Sequence, residues 1–468
     1  MPAETPAEPA PRASPPALWT GTTYFAEGLP WSILHQIAAE FFTAIGLPAR
    51  EVGYTSALHL TSTLKFAWSP LVDLFGTLRQ WMIATQAAMG IAVGLAAVLA
   101  ERLVLDPSVG TGSIWAILVL IGVLSATHDI ACDGYYMDAL DKDDQARYSG
   151  VRVAAFRAAM LVGSSGLVYL GGRLSWLLAF GAAAALLGGL ALFHRLLLPR
   201  GENERPDRGA AAPTVEAAAA DPEADQATAR TEDPAAGAGA GAKGSAVGHV
   251  LDAYLSFLTQ RRALFVIAFI ISFKLGDALM FSMSKVLFRD LGVTTEIRGV
   301  LNGFGTVASI GGAMLAGAWM GRASLTKALP PIALAMAASE PLYLVLAGDV
   351  APLKIAAGLE APRAVLAVME PSRVAVGGVL VLEQFLGGMA TAAQMVFIMR
   401  RCHPDHKAAH FAFATALYAL AQTITGTYSG VLYETHGALA FFGVASLVCA
   451  PCLLLLPLIP THADAARG

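Results

Sequence analysis

Apolar runs about 20 residues long, broken by short charged or Gly/Pro-rich stretches, recur along most of this chain. "QAAMGIAVGLAAVLA" (86–100), "SIWAILVLIGVLSA" (113–126), "WLLAFGAAAALLGGLALF" (176–193) and "LFVIAFIISF" (264–273) lie in such runs. A hydrocarbon layer about 30 Å thick is crossed by about 20 helical residues, so the pattern predicts an all-α, multi-pass membrane protein. The breaks predict twelve spans in two six-helix bundles. They fall near 17–44, 51–73, 80–101, 112–139, 146–172 and 175–198, then near 260–288, 295–321, 325–347, 373–400, 407–433 and 437–460. Several exceed the length of a perpendicular crossing, which predicts tilt.

The bundles, 17–198 and 260–460, are separated by residues 199–259. Most of that stretch is Ala, Pro, Gly and acidic residues with few large apolar groups. Such a composition cannot build a core, so a largely disordered linker is expected. Its "GAGAGAKGS" has the wrong order for a phosphate loop and no strand or helix pattern around it. Residues 1–16 lack the basic start and apolar core of a signal peptide and read as a disordered tail; 461–468 form a second tail.

Basic residues near span ends set orientation. Twelve (Arg79, Lys142, Arg147, Arg195, Arg200, Arg261, Arg262, Arg322, Lys327, Arg400, Arg401, Lys407) fall on the side of the tails and eight (Arg50, Arg102, Arg173, Arg289, Arg298, Lys354, Arg363, Arg373) on the other, which puts both termini and the linker in the cytoplasm. The halves also share a short repeat. "FFTAIGLPAREVGY" (41–54) and "VLFRDLGVTTEIRGV" (286–300) match at Phe42/Phe288, Gly46/Gly292, Leu47/Val293 and Gly53/Gly299, each between the first and second span of its half. Such a repeat points to two related bundles around a central site.

Composition narrows the function. The chain is 56% hydrophobic and 14% charged with net charge −4, and no Lys/Arg-rich block offers a nucleic-acid surface. Cys449 and Cys452 form a CxxC inside "LVCAPCLLLL", which lacks the polar setting and second ligand pair of a redox or zinc motif. With Cys132 and Cys402 they imply no disulfide framework. No nucleophile–base–acid order, HExxH or Cys/His cluster occurs, so neither enzymatic chemistry nor a metal or cofactor is expected.

Ionisable groups in hydrocarbon are costly and mark functional candidates. In the first half these are Glu27, Lys65, Asp129, Asp133, Arg152 and Arg157. At 1.5 Å per helical residue all six lie roughly 9–17 Å from the cytoplasmic end of their spans. Asp129 and Asp133, spaced i, i+4, share a helix face, whereas Arg152 and Arg157 point in less similar directions. Asp138 lies at the membrane edge and reads as solvated. Two readings stand: an ion-pair lock between helices, or a network that sets the protonation of one carboxylate. Glu27, Asp129 and Asp133 are the proton-coupling candidates. Glu27 leads, because "YFAEGLP" sets it beside Gly28 and Pro30, where broken backbone needs a cavity or neighbouring helix. In the second half Lys274 and Asp277 (i, i+3) read as an intrahelical pair able to face a cavity, and Glu383, with Gln384 and Gln394, as cavity wall. His35 and His59 are further polar wall candidates. Gly90/Gly94, Gly299/Gly303 and Gly317/Gly321 read as close helix contacts. Residues 348–372 include an amphipathic stretch fit to lie on a membrane surface or to form a plain loop.

"TTYFAEGLPWSI" (22–33), "TLKFAWSPLVD" (63–73) and "ATHDIACDGYYMDAL" (126–140) together resemble the muropeptide permease (AmpG-type) branch of the major facilitator superfamily, related to acetyl-coenzyme A transporters. The matching positions are Glu27, Gly28 and Pro30; Lys65, Phe66, Trp68, Pro70 and Asp73; and Asp129, Asp133 and Tyr135. His128 and Gly134 depart from the branch's pattern. The resemblance implies an inner-membrane, proton-driven importer of a polar solute, with anhydro-muropeptide as first substrate and ferric siderophore as alternative; a monomer working by alternating access is expected. A membrane receptor or scaffold that transports nothing is the reading from a different class.

Overall fold

The computed structural model describes residues 15–199, 255–348, 373–403 and 407–460. The expected linker, the terminal tails and the 348–372 segment lie outside these residues apart from their edges, as do the side chains of Phe66, Pro70 and Asp73. Among the described residues every regular element is helical. The first half runs through α1 (Pro16–Ser32), α2 (Ala38–Ala44), α3 (Ala49–Tyr54), α4 (His59–Thr63), α5 (Ser69–Leu74), α6 (Leu78–Leu105), α7 (Gly112–Ala139), α8 (Lys142–Leu161), α9 (Val168–Arg173) and α10 (Trp176–Leu197). The second runs through α11 (Ala263–Ser272), α12 (Leu275–Asp290), α13 (Thr295–Ala323), α14 (Leu325–Ser339), α15 (Leu342–Ala347), α16 (Arg373–Arg401), α17 (Lys407–Val448) and α18 (Ala450–Leu455). Large apolar side chains such as Ile91, Leu196, Leu264 and Leu447 point outward, as a lipid-facing surface requires.

Nine helices among the described residues are long and apolar enough to cross a membrane, against twelve expected from the breaks. The first two expected spans are too polar to be among the nine, and the last two are counted together. Pro30 has no N–H to return to the carbonyl of Ala26, and beyond it the first expected span passes through a π turn, Ile33–Ile37, before α2. The second is interrupted by 3₁₀ turns at Thr55–Leu58 and Lys65–Ala67. The last two are two helices that meet at a kink, where Gly437 leaves the helical conformation at φ 77°, as the expected spans 407–433 and 437–460 place it.

One buried apolar cluster contains only first-half residues, such as Trp19, Met82 and Leu198. A second contains only second-half residues, such as Phe257, Met320 and Ile398. The third joins Phe41, Phe42 and Trp176 to Phe288, Tyr343 and Phe442. The halves therefore share a core at the end holding the α2–α3 and α12–α13 turns and keep separate cores at the other end.

The repeat marks the shared end. Gly46 (φ 77°) and Gly292 (φ 78°) take the left-handed conformation that ends a helix without a Cβ penalty. Around them the Leu47 amide donates to Phe42 O at 3.0 Å and the Val293 amide to Phe288 O at 2.9 Å. The fourth matched pair closes the halves on each other: a Cβ at Gly53 would strike the Gly430 amide, and one at Gly299 the Tyr169 amide. Thus α3 packs on α17 and α13 on α9, backbone against backbone.

Of the three glycine pairs expected at close contacts, two are so placed. Gly90 and Gly94 face Gly188 and Ala184 of α10, and Gly299 and Gly303 face Tyr169 and Ser165. Gly317 and Gly321 have nothing within 4 Å. A different glycine, Gly312, seats α13 on the Phe385 carbonyl of α16. Gly312→Ala is expected to destabilise the protein by about 1–3 kcal/mol, since overpacking against backbone forces the helices apart. Gly317→Ala should stay within about 0.5 kcal/mol. Thermal melting in detergent checks both; equal melting temperatures would show that the α13–α16 seam relaxes.

A cavity between the halves

Where the two cores part, a central cavity of about 360 Å³ lies between the halves, within the roughly 300–1,000 Å³ range of small-molecule sites. Glu27, Lys65 and Asp129 reach it from the first half and Lys274 and Asp277 from the second. The helices carrying most of these groups are broken beside it: α1 by the π turn, the second expected span at Lys65, and the seventh at Lys274, between α11 and α12 (φ −124°, ψ 22°). Irregular backbone survives at membrane depth only where cavity or protein satisfies it, which explains why the breaks and the cavity coincide.

The first-half charges form two groups. At the cavity wall, Lys65 is ion-paired and hydrogen-bonded to Asp129. Glu27, 3% exposed, makes no ion pair among the described residues; it faces Asp129 within hydrogen-bonding range and its Oε2 has no partner. Two carboxyl groups in contact repel unless a proton sits between them. Behind the wall, Asp133 Oδ1 binds Arg152 Nη2 at 3.0 Å and accepts from the Tyr24 hydroxyl at 2.6 Å, and the guanidinium lies 4.6 Å from the Tyr24 ring centre. The shared face of Asp129 and Asp133 therefore serves two partners on two neighbouring segments. Arg157 lies outside both groups: it is half-buried, with Nη1 4.0 Å from Met160 Sδ, and is not among the cavity-lining residues. Asp138 is exposed.

Asp133→Ala is expected to cost about 3–5 kcal/mol by stranding Arg152. Tyr24→Phe, which removes one hydrogen bond to a charged group, should cost about 1.5–3 kcal/mol. Melting temperatures of the two variants test the order; a larger loss for Tyr24→Phe would show that the ring stacking, not the ion pair, depends on the hydroxyl.

In the second half Lys274 Nζ pairs with Asp277 Oδ2 at 3.0 Å, donates to Thr391 Oγ1 at 2.8 Å and lines the cavity. Glu383 lines a smaller adjoining pocket and accepts from Gln384 Nε2 at 2.9 Å. Gln394 is buried away from the cavity, donating to Ile270 O at 2.8 Å, so it ties α16 to α11. Trp31, His35 and His59 form an aromatic ledge, with ring centres 4.4 Å apart for Trp31–His35 and 3.7 Å for His35–His59. His35 Nδ1–H donates to the Trp31 carbonyl at 2.7 Å. Cys449, in the apolar CxxC, meets Glu340 Oε1 at 2.9 Å.

The most buried ion pair among the described residues is not one of the pairs expected from the sequence. Glu40 of α2 (1% exposed) accepts from Arg298 Nε of α13 (2% exposed) at 2.8 Å and from Asn302 Nδ2 at 2.9 Å, bridging the halves at their shared end. Arg298 is completed by Val293 O at 2.8 Å and Thr295 Oγ1 at 3.1 Å. Arg289 Nη1 to Leu47 O (3.1 Å), part-buried, and the Arg50 amide to Glu434 (3.0 Å), exposed, add contacts around it. Its signal in the sequence is Glu40, an acid inside the first apolar run; Arg298 reads there as a span-end charge.

Comparison with known proteins agrees with this geometry. The chain is 26% identical over 442 residues to the anhydromuropeptide permease of Escherichia coli K12, covering 92% of this chain and 77% of that one. It is 23% identical over 449 residues to a Rickettsia conorii transporter named AmpG 4, covering 93% and 94%. The crystal structure of the nucleoside transporter NupG superposes with a TM-score of 0.59 at 13% identity, over 94% of this chain and 98% of that one. The resemblance carried by the three first-half motifs thus extends along most of the chain. The profile of the Major Facilitator Superfamily matches residues 18–369, more than half of the sequence, and the chain belongs to that superfamily of membrane transporters.

Proposed function

We propose that this protein imports anhydro-muropeptide across the inner membrane by alternating access, driven by protons. The observation that carries the reading is Glu27: a buried carboxyl without a counter-ion at the wall of a cavity that is sealed at one end by contacts between the halves. In this reading twelve spans form two six-helix bundles, both termini are cytoplasmic, and the monomer is the working unit. The sealed end faces outward and the central cavity faces the cytoplasm. Solute and proton enter when the outer contacts part and leave on the cytoplasmic side. Neutral ion pairs at Lys65–Asp129 and Lys274–Asp277 leave the charge of the wall to be set by Glu27, so its protonation changes the field that a polar solute meets. The resemblance to muropeptide permeases supports the choice of solute.

Uptake of labelled anhydro-muropeptide into cells lacking their own permease tests this, with ferric siderophore in parallel and a protonophore control. Muropeptide uptake abolished by the protonophore is expected. Uptake of siderophore alone moves the substrate to that class, and uptake that ignores the protonophore overturns the proton-coupled part.

A further inference from the structure

We propose that Glu383 and Asp277 form a second proton-binding site, in the second half of the chain, at the junction between the central cavity and the smaller pocket beneath the Glu40–Arg298 bridge. The proposal rests on the proton-coupled part of the reading above and is independent of the solute.

Position is the first argument. Asp277 lines both the central cavity and the smaller pocket of about 50 Å³, and Glu383 lines the smaller one. Asn302 lines that pocket too and donates to Glu40, so polar groups run from the cavity to the bridge that seals the halves.

Chemistry is the second. Glu383 is 6% exposed and its carboxyl is within hydrogen-bonding range of Asp277, whose other side is held by Lys274 at 3.0 Å. The same arrangement occurs in the first half, where Glu27 faces Asp129 and Asp129 is held by Lys65. Two unrelated sets of residues thus build one motif, a lysine-bound aspartate in contact with a glutamate that makes no ion pair among the described residues. With one proton between them, Glu383 and Asp277 carry a single negative charge, which Lys274 balances. Without it, two negative charges face one ammonium in a site of low dielectric.

One further cation borders the smaller pocket, Lys285, and it makes no ion pair with Glu383 among the described residues. Gln384 and Tyr343 beside Glu383 are neutral. Lys285, on α12 across the smaller pocket, is 7% exposed and donates to the Phe281 carbonyl at 2.6 Å. Glu340, from the segment joining α14 and α15, adds a further acid, bonded to Cys449. The proton would enter the pair from the outer side once the bridge parts and leave as a hydrated proton through Asp277 into the central cavity; no other bond is made or broken.

The test uses the full-length protein in lipid. Infrared difference spectra across a pH titration read the carbonyl stretch of protonated carboxyl groups, and proteoliposomes carrying labelled anhydro-muropeptide read accumulation under a pH gradient against counterflow without one. Expected are two separable carboxyl signals, one lost in Glu27→Gln and the other in Glu383→Gln or Asp277→Asn. Accumulation in the latter two should fall to passive equilibration while counterflow persists. Glu383→Asp, which keeps the carboxyl, should restore part of the signal and serves if Glu383→Gln does not fold. An unchanged signal and accumulation in Glu383→Gln overturn the second site alone. A wild-type protein with no titrating carboxyl signal and gradient-independent uptake overturns it together with proton coupling.

Discussion

Glu40→Ala is expected to open the sealed end of the molecule. Removing one partner of a buried ion pair costs about 3–5 kcal/mol because the other charge is left stranded. Arg298 keeps its bonds to Val293 O and Thr295 Oγ1, which places the effect at the lower end of that range. A closed-to-open equilibrium should therefore shift by about a hundredfold. The reporter is Ser164→Cys in a background free of Cys132, Cys402, Cys449 and Cys452. Ser164 is 2% exposed and faces Thr306 of the other half at 3.3 Å. A membrane-impermeant thiol reagent added outside should label it slowly with Glu40 present and about a hundredfold faster in Glu40→Ala. Replacing Glu40 and Arg298 together by methionine should restore protection, because an apolar pair in that place leaves no stranded charge. Unchanged labelling in Glu40→Ala would assign the seal to the glycine contacts at Gly53–Gly430 and Gly299–Tyr169 instead.

Glu27→Gln is expected to uncouple transport without unfolding the protein. Glutamine matches the shape of a protonated glutamate and can donate to Asp129 with no proton to exchange. One pH unit across a membrane is worth about 1.4 kcal/mol per proton, so each coupled proton sustains about tenfold accumulation; neither site completes the cycle alone, and the variant should bring the ratio to about one. Counterflow of anhydro-muropeptide, which needs no net proton movement, should continue. Lost counterflow with an unchanged melting temperature would make Glu27 a solute ligand, and undiminished accumulation would remove it from the coupling mechanism. A scaffold that transports nothing would show neither activity in the wild type.

Much of this was legible in the chain. The apolar runs and the paired glycines at 46 and 292 are local features, set by solubility in hydrocarbon and by the missing Cβ of glycine; the break expected at "EGLP" lies a few residues further on, at the π turn Ile33–Ile37. The Lys274–Asp277 pair follows from three-residue spacing on one helix turn. Glu27, Lys65, Asp129 and Asp133 stand out because each ionisable group is an exception in an apolar stretch. What spacing did not reveal is which partner each would meet. Asp129 and Asp133 share a face, yet one turns to Lys65 and the other to Arg152 and Tyr24, and Arg157 joins neither group. Nor did spacing reveal where the helices would be irregular, at the π turn Ile33–Ile37 and the 3₁₀ turn Thr55–Leu58.

The sequence by itself determined that this protein is helical and membrane-embedded, where its costly charges lie, and that its two halves carry related turns. These depend on the transfer of side chains from water and on conformations fixed within a few residues. Only the tertiary structure decided that Glu40 meets Arg298 across 258 positions of chain, that Glu383 faces Asp277, and that the halves close at one end. Such contacts depend on how whole helices rotate and cross. That rotation is set by glycine-lined seams and side-chain packing summed over many residues, and no local pattern encodes it.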